Sequence, residues 1–232
     1  MRHWSFLVVM IVLVSCRLPW DTSPLTDKEI VKKVYGRHAE IKYNQGRVVY
    51  IRCPKPRGDA PWRFIYTKTC KIKEPLPPEI WQLTELRGLT IVGDGSQTVV
   101  LSPEIGQLKH LEILSLRRTN LSILPSEIGQ LTELQGLYLE GNNLTTLPPE
   151  IGQLTKLSYL SLSQNTLTIL PPEIGQLINL NELVLAQNNL TALPPEIGQL
   201  TNLERLWIGY NNLTTLPPEI ERLRETGTKI IP

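Results

Sequence analysis

LQGLYLEGNNLTTLPPEIGQLTK, residues Leu134–Lys156, decides how this chain folds. Leu137 and Leu139 alternate with Gly136, Tyr138 and Glu140, the period of two that marks a strand with one buried face. The two leucines point inward and their neighbours outward. Asn142 follows where the chain must leave the strand direction, and its amide can donate and accept toward backbone groups that a bend leaves unpaired. Leu144 and Leu147 return to the core. Pro148 and Pro149 lack N–H donors and fix their own φ angles, which suits the start of a helical turn. Glu150 lies in that first turn, where negative charge is favoured. Ile151 and Leu154, three apart, face the same way, and Gly152 discourages a long helix and permits a tight return. The unit is a strand, a polar bend, and a short convex turn back to the next strand.

Self-similarity extends this reading outward. Equivalent leucines open units at Leu86, Leu111, Leu134, Leu157, Leu180 and Leu203, spaced 25 residues once and 23 thereafter. The return motif LPPEIGQL is identical at Leu147–Leu154, Leu170–Leu177 and Leu193–Leu200. Near copies stand at Leu76–Leu83, Leu101–Leu108, Leu124–Leu131 and Leu216–Leu223. No unit can bury its leucines alone, so neighbours must stack into a shared core. Each buried leucine or isoleucine then contributes about 1.5–3 kcal/mol. Asn165, Asn188 and Asn211 repeat the position of Asn142 and should form an inward structural ladder. The sameness of LPPEIGQL is thus explained by geometry, and function is sought between the copies.

The pattern LxxLxLxxNxL resembles the leucine-rich repeat family, over roughly Leu76 to Leu223. Its 23-residue LPxEIGxL form is similar to bacterial repeat lipoproteins of the spirochaete type. The resemblance implies an α/β solenoid: a short horseshoe with a concave parallel sheet, convex short helical or 3-10 turns, and an N-terminal α+β cap. It also implies recognition of a protein or peptide on the concave face. Thr119 in place of a ladder asparagine, Ile208 for leucine, and the 25-residue unit depart from the pattern. The last is expected to distort the sheet locally near Gly93.

The N-terminus reads as a targeting segment. Arg2 precedes nine unbroken apolar residues, Phe6 to Val14, far short of the ~20 needed to span a bilayer. LVSC at Leu13–Cys16 resembles a lipobox, which implies cleavage before Cys16 and lipidation of it; an ordinary signal peptide is the alternative. The expected organisation is a signal at 1–15, a linker at 16–25, a cap at 26–75, repeats at 76–223 and a tail at 224–232. Within the cap, Thr26 and Glu29 form a capping box for a helix of about Asp27 to Tyr35. Asn44-Gln45-Gly46 separates strand-like runs Ala39–Tyr43 and Arg47–Cys53, and Trp62–Thr67 is another. Cys53 and Cys70 are an even pair in an exported chain, which favours a disulfide over two unpaired thiols. Asp27 to Lys73 holds 13 Lys and Arg against 4 Asp and Glu, whereas Glu74 to Pro232 holds 9 against 17. The basic cap is either a solvated surface or one that rests on anionic lipid; an acidic body argues against nucleic acid.

Catalytic spacing is missing: no G-x-S-x-G, Walker loop or H-E-x-x-H occurs, so neither an enzyme nor a cofactor nor a metal is expected. The glutamate row continued by Glu150 and Glu173 falls once per unit on the convex side and reads as helix-start charge. GDGSQ at Gly93–Gln97 reads as accommodating the two extra residues. The N-x-S/T sequons at Asn120, Asn143, Asn189 and Asn212 follow from the repeat itself. What varies is the concave face, where Arg117, Tyr138, Tyr159, Glu182, Arg205, Trp207 and Tyr210 are the candidate ligand residues. Tyr138 and Tyr159 should be neighbours on adjacent strands, and Trp, Tyr and Arg are the types enriched at binding hot spots. The function read from the sequence is a membrane-anchored binding module at the cell surface or in the periplasm. An intracellular scaffold of the Ras-group repeat type is the alternative, and it requires that the first sixteen residues are no signal.

Overall fold

The computed structural model describes the backbone of residues 40–44 and 47–52, then residues 76, 78–93, 95–96 and 98–232. The expected signal, Cys16, the helix near residue 30, the strand-like run at 62–67 and the Cys53–Cys70 pair lie outside the described residues. Nine strands form one sheet in chain order: β1 (Glu40–Asn44), β2 (Arg47–Arg52), β3 (Gly88–Val92), β4 (Ile113–Arg117), β5 (Gly136–Tyr138), β6 (Tyr159–Ser161), β7 (Glu182–Val184), β8 (Arg205–Trp207) and β9 (Lys229–Ile231). β1 and β2 pair antiparallel, with a register shift between Lys42 and Tyr43. From β2 onward every pairing is parallel. The register repeats the sequence period, so Gly136, Tyr159, Glu182 and Arg205 stand in one row and Tyr138, Ser161, Val184 and Trp207 in another.

Each strand from β3 to β7 returns through a five-residue 3-10 turn, such as Pro149–Gln153, Pro172–Gln176 and Pro195–Gln199. Pro148 holds the entry at φ −69° and ψ 145°, and Pro149 opens the turn, where a missing N–H costs nothing. The Leu154 N–H then closes it onto the Ile151 carbonyl. Gly152 has a different task from the one its sequence context suggests. A Cβ there would lie 2.6 Å from Gln176 Oε1 and 2.8 Å from the Glu173 carbonyl oxygen. The glycine therefore lets successive turns stack in contact.

The leucines and isoleucines of the pattern form one continuous core. Leu134, Leu137, Leu139, Leu144, Ile151 and Leu154 are each fully buried, and their counterparts along the stack repeat this. The asparagine ladder sits at the edge of that core. Asn165 Nδ2 donates to the carbonyls of Leu139 and Leu162, and its Oδ1 accepts from the Leu144 N–H. Asn188 and Asn211 repeat the arrangement one and two rungs on. At the other end Asn142 Oδ1 accepts from the Thr119 N–H, the Thr119 hydroxyl and the Leu121 N–H. Thr119, at 1% exposure, thus joins the ladder in place of an asparagine.

The 25-residue unit does not distort the sheet. β3 and β4 are five residues long and pair in register throughout. The Gly93 N–H extends the pairing to the Arg117 carbonyl, and the Gly95 N–H reaches that of Arg118. Gly95 and Ser96 lie in an exposed bend after the strand. At the far end α1 (Glu219–Glu225) takes the place of a 3-10 turn and buries Ile220 and Leu223. Residues 224–232, expected as a tail, include β9, which adds a last parallel strand to β8. The architecture is an α/β solenoid, an open horseshoe with the parallel sheet on its concave side and the turns on its convex side. Among the described residues no helix is long and apolar enough to cross a membrane.

Candidate ligand-binding face

Strand side chains that do not enter the core form the concave surface, and two clusters stand out there. The first spans β4 to β6. The Tyr138 ring lies back over Gly136, where a Cβ would meet Tyr138 Cε2 at 2.9 Å. This leaves room for Tyr159, which faces Gly136 across the pairing, to stack on Tyr138 with centroids 4.8 Å apart and planes at 25°. The Arg117 guanidinium carbon sits 5.1 Å from the Tyr138 centroid, within cation–π range. Arg117 Nε also lies 2.6 Å from Glu140 Oε1. The N–H is poorly aligned for a hydrogen bond, so the contact is an ion pair, and the second Glu140 oxygen is buried with no partner among the described residues. Burial holds the Tyr159 phenol above its ordinary value, and the charges of Glu182 and Glu140 add to this. Tyr159 is a neutral ring at physiological pH.

The second cluster spans β7 and β8 and is organised by Glu182. Its two carboxylate oxygens are both engaged, Oε2 by Arg205 Nη2 at 2.6 Å and Oε1 by the Trp207 indole N–H at 2.8 Å. The Glu182 side chain is 16% exposed and that of Arg205 46%. The hydrogen bond that Arg205 donates to Glu182, together with the charge of Glu182, pushes the Arg205 guanidinium pKa up. An exposed ion pair contributes little to stability. Its effect here is positional: the indole is tethered at one edge, and the ring is fixed on the sheet.

Six of the seven candidate residues therefore fall into two ordered groups, Arg117–Tyr138–Tyr159 and Glu182–Arg205–Trp207. Tyr210 joins neither. It lies past the end of β8 at 83% exposure and φ 55°, beside a shallow groove of about 300 Å³ that Leu213, Leu216 and Pro232 also line. Tyr159 of the first group stands directly opposite Glu182 of the second, whereas the Tyr138 and Trp207 rings share a row and are three strand-to-strand steps apart, roughly 14.4 Å. Between them the floor is made of small side chains: Ser161, Ser163, Val184 and Ala186.

Two surface features escaped the sequence reading. The eighth residue of each unit from Leu111 onward is left-handed: Arg118, Gln164, Gln187 and Tyr210 have φ between 52° and 59°, and Gly141 has φ 70°. A side chain in that conformation costs about 1–2 kcal/mol, so this rim keeps large polar side chains at positions that favour glycine. The signal was the single glycine at Gly141, which marked the backbone demand for the whole row. The other feature is an exposed aliphatic row on the flank, with Val100 at 64%, Ile123 at 72% and Ile169 at 59%. Its mark in the sequence is Val or Ile where other units have Thr146, Ala192 or Thr215.

A stacked parallel sheet whose units share one core defines a repeat solenoid, and the strand residues on its concave side differ from unit to unit. The chain belongs to the leucine-rich repeat family. The family model for the leucine-rich repeat region matches residues 63–187 and 149–226. Among solved structures, a leucine-rich repeat protein of Leptospira interrogans is 41% identical, with 67% of this chain and 45% of that one covered and a TM-score of 0.55. The leucine-rich repeat ectodomain of the plant membrane receptor kinase GASSHO1 from Arabidopsis thaliana, in complex with Casparian strip integrity factor 2, is 37% identical. It covers 63% of this chain and 18% of that one at a TM-score of 0.56. A plant peptide hormone receptor, RGFR1 in complex with RGF2, is 29% identical over 68% of this chain and 26% of that one, with a TM-score of 0.58. The chain spans less than half the length of each of these proteins. A search of curated proteins found no significant match.

Proposed function

We propose that this chain is a non-enzymatic binding module that recognises a protein or peptide on its concave face. The observation that carries the reading is the contrast between scaffold and face. LPPEIGQL and the ladder repeat almost unchanged, while Arg117, Tyr138, Tyr159, Glu182, Arg205 and Trp207 each occur once and are tied into two ordered clusters. Half-buried, pre-positioned aromatic and arginine side chains are the types that dominate binding energy. The plant receptors of the same fold that were solved with Casparian strip integrity factor 2 and with RGF2 support a ligand of this kind.

The module is further proposed to be exported and held at a membrane through a lipid on Cys16, on the strength of Arg2, the apolar run and LVSC. Changing Cys16 to serine should abolish membrane partition and the mass of the attached lipid. A wild-type chain that carries no lipid and stays in the cytosol would refute the localisation. For recognition, Trp207→Ala and Tyr159→Ala should each weaken a captured ligand by about 1 kcal/mol or more, with the circular dichroism spectrum unchanged. A ligand indifferent to both changes would show that the concave face is not its seat.

A further inference from the structure

We propose that the last rung of the stack, Tyr210 to Leu216, is a second binding site, which takes a neutral segment of a partner protein with the pattern x-Gly-Asn-x-Leu-x-x-Leu. The site lies beyond the two clusters of the concave face and is defined by unpaired backbone groups. In the units from Leu111 to Leu180 three such groups are met by the rung that follows. The N–H of the left-handed eighth residue donates to a carbonyl of the next rung, as Gln164 does to Ala186 and Gln187 to Gly209. The N–H of the leucine three residues on donates to the next ladder amide, as Leu167 does to Asn188 and Leu190 to Asn211. The carbonyl of that leucine accepts the N–H of the residue after the next ladder asparagine, as Leu167 does from Asn189 and Leu190 from Asn212. The equivalent groups of the last unit are the Tyr210 N–H, the Leu213 N–H and the Leu213 carbonyl, and none has a partner among the described residues. β9 pairs with Arg205 to Trp207, and Pro232 packs on Gly209, short of all three.

The side chains of this rung are as open as its backbone. Leu190 and Leu193 are buried, whereas their equivalents Leu213 and Leu216 are partly buried and 37% exposed. With Ile208 and Tyr210 they line the groove of about 300 Å³, which no charged side chain lines. An uncharged occupant is selected. Its pattern follows from the rungs already in place. A carbonyl, a side-chain amide two residues on and the N–H of the next residue match the three unpaired groups. A leucine at the position after that, and another three further on, would bury Leu213 and Leu216 as Leu190 and Leu193 continue the core past Leu167 and Leu170. The residue before the ladder position is left-handed in each unit from Leu111 onward, and glycine adopts that conformation most readily. The site thus extends an open stack by one rung. Main-chain hydrogen bonds supply affinity, as they do when a strand is added to a sheet edge, and side chains supply the selection. Here the asparagine and the two leucines select.

The test titrates the chain with the capped peptide Ala-Gly-Asn-Asn-Leu-Thr-Ala-Leu and follows backbone amide exchange by NMR. Without peptide, the Tyr210 and Leu213 amides should exchange faster than their equivalents Gln187 and Leu190. Saturating peptide should slow both by about ten-fold or more. Replacing the first asparagine of the peptide by alanine should weaken binding by about five-fold or more. Leu216→Lys, which brings a charge to the groove, should weaken it to a similar extent with the circular dichroism spectrum kept; the altered peptide carries the test if that variant does not fold. Binding that ignores both changes would overturn the inference, and so would unchanged exchange at Tyr210 and Leu213 in about 1 mM peptide. Binding that falls with Trp207→Ala and leaves the two amides fast would seat the peptide on the concave face, which overturns this inference and leaves the proposed function standing. If the two amides are already slow without peptide and the chain sediments as a dimer, a second copy completes the rung and the peptide assignment fails.

Discussion

Replacing Asn165 by alanine should be among the most damaging single changes in the chain, for a reason set by the bookkeeping of its hydrogen bonds. The side chain makes three bonds within the core edge, Nδ2 to the Leu139 and Leu162 carbonyls at 2.9 and 3.0 Å and Oδ1 from the Leu144 N–H at 3.0 Å, and a longer fourth from Nδ2 to the part-buried Ser163 carbonyl at 3.3 Å. The two carbonyls are not left bare by the change, since Leu139 also accepts from Asn142 and Leu162 from Asn188. The Leu144 N–H has no second acceptor among the described residues, and Leu144 is fully buried. An orphaned buried donor costs about 1–3 kcal/mol, and each weakened carbonyl adds about 0.5–1.5. The sum is about 3 kcal/mol. Asn211 makes the same three bonds at the end of the ladder, but it is only partly buried, so water can replace it. Asn211→Ala should cost about 1 kcal/mol. Equilibrium urea unfolding followed by circular dichroism measures both. Equal losses at the two positions, or a loss below about 1 kcal/mol at Asn165, would refute the account of the ladder as a chain of shared acceptors with one dependent donor per rung.

Gly152→Ala should destabilise the fold by about 1–3 kcal/mol, although alanine is the better helix former, because its Cβ would press on Gln176 and Glu173 of the next turn; a thermal melt at or above wild type would contradict the stacking role. Gln187→Gly should raise stability by about 0.5 kcal/mol, the relief of a side chain at φ 59° offset by glycine's greater entropy loss. A fall in unfolding free energy would show that the Gln187 side chain packs usefully. The Tyr159 phenol is raised above its ordinary value of 10.0, chiefly by burial. A raised folded-state pKa means the contribution is complete below the unfolded value and is lost as pH rises through the folded one. Stability should therefore fall as pH climbs above about 10, and Tyr159→Phe should remove that part of the alkaline loss in a pH series of unfolding curves.

The scaffold was legible in the sequence because each of its demands is periodic. Leucines at fixed offsets reported the core, the asparagines reported the bend, and the paired prolines reported the turn. The glycine of LPPEIGQL was found but misread, since a single unit shows only its own backbone, and the reason for that glycine lies in the unit above. The same limit explains Gly93, where two extra residues suggested a local distortion and the structure shows five paired residues in each of β3 and β4. An insertion after a strand can loop outward without disturbing the stack; only the register across neighbouring strands reveals which happens.

The recognition face was legible as residue types in rows, and not as contacts. The register put Tyr159 beside Gly136, so a stack with Tyr138 could be expected. What no row could show is that Glu182 spends both oxygens, one on Arg205 and one on Trp207. In the sequence Glu182 reads as an acidic ligand contact; in the structure it is the residue that positions two others. That difference sets how the face should respond to change. Glu182→Gln can still accept from the indole through its amide oxygen while losing the charge that orients Arg205, whereas Glu182→Ala releases both. If Glu182 contacts the ligand directly, the two variants should weaken binding alike. If it acts through Trp207, Gln should be the milder by about 1 kcal/mol, the worth of one retained hydrogen bond. Isothermal titration of any captured peptide against the two variants decides between them.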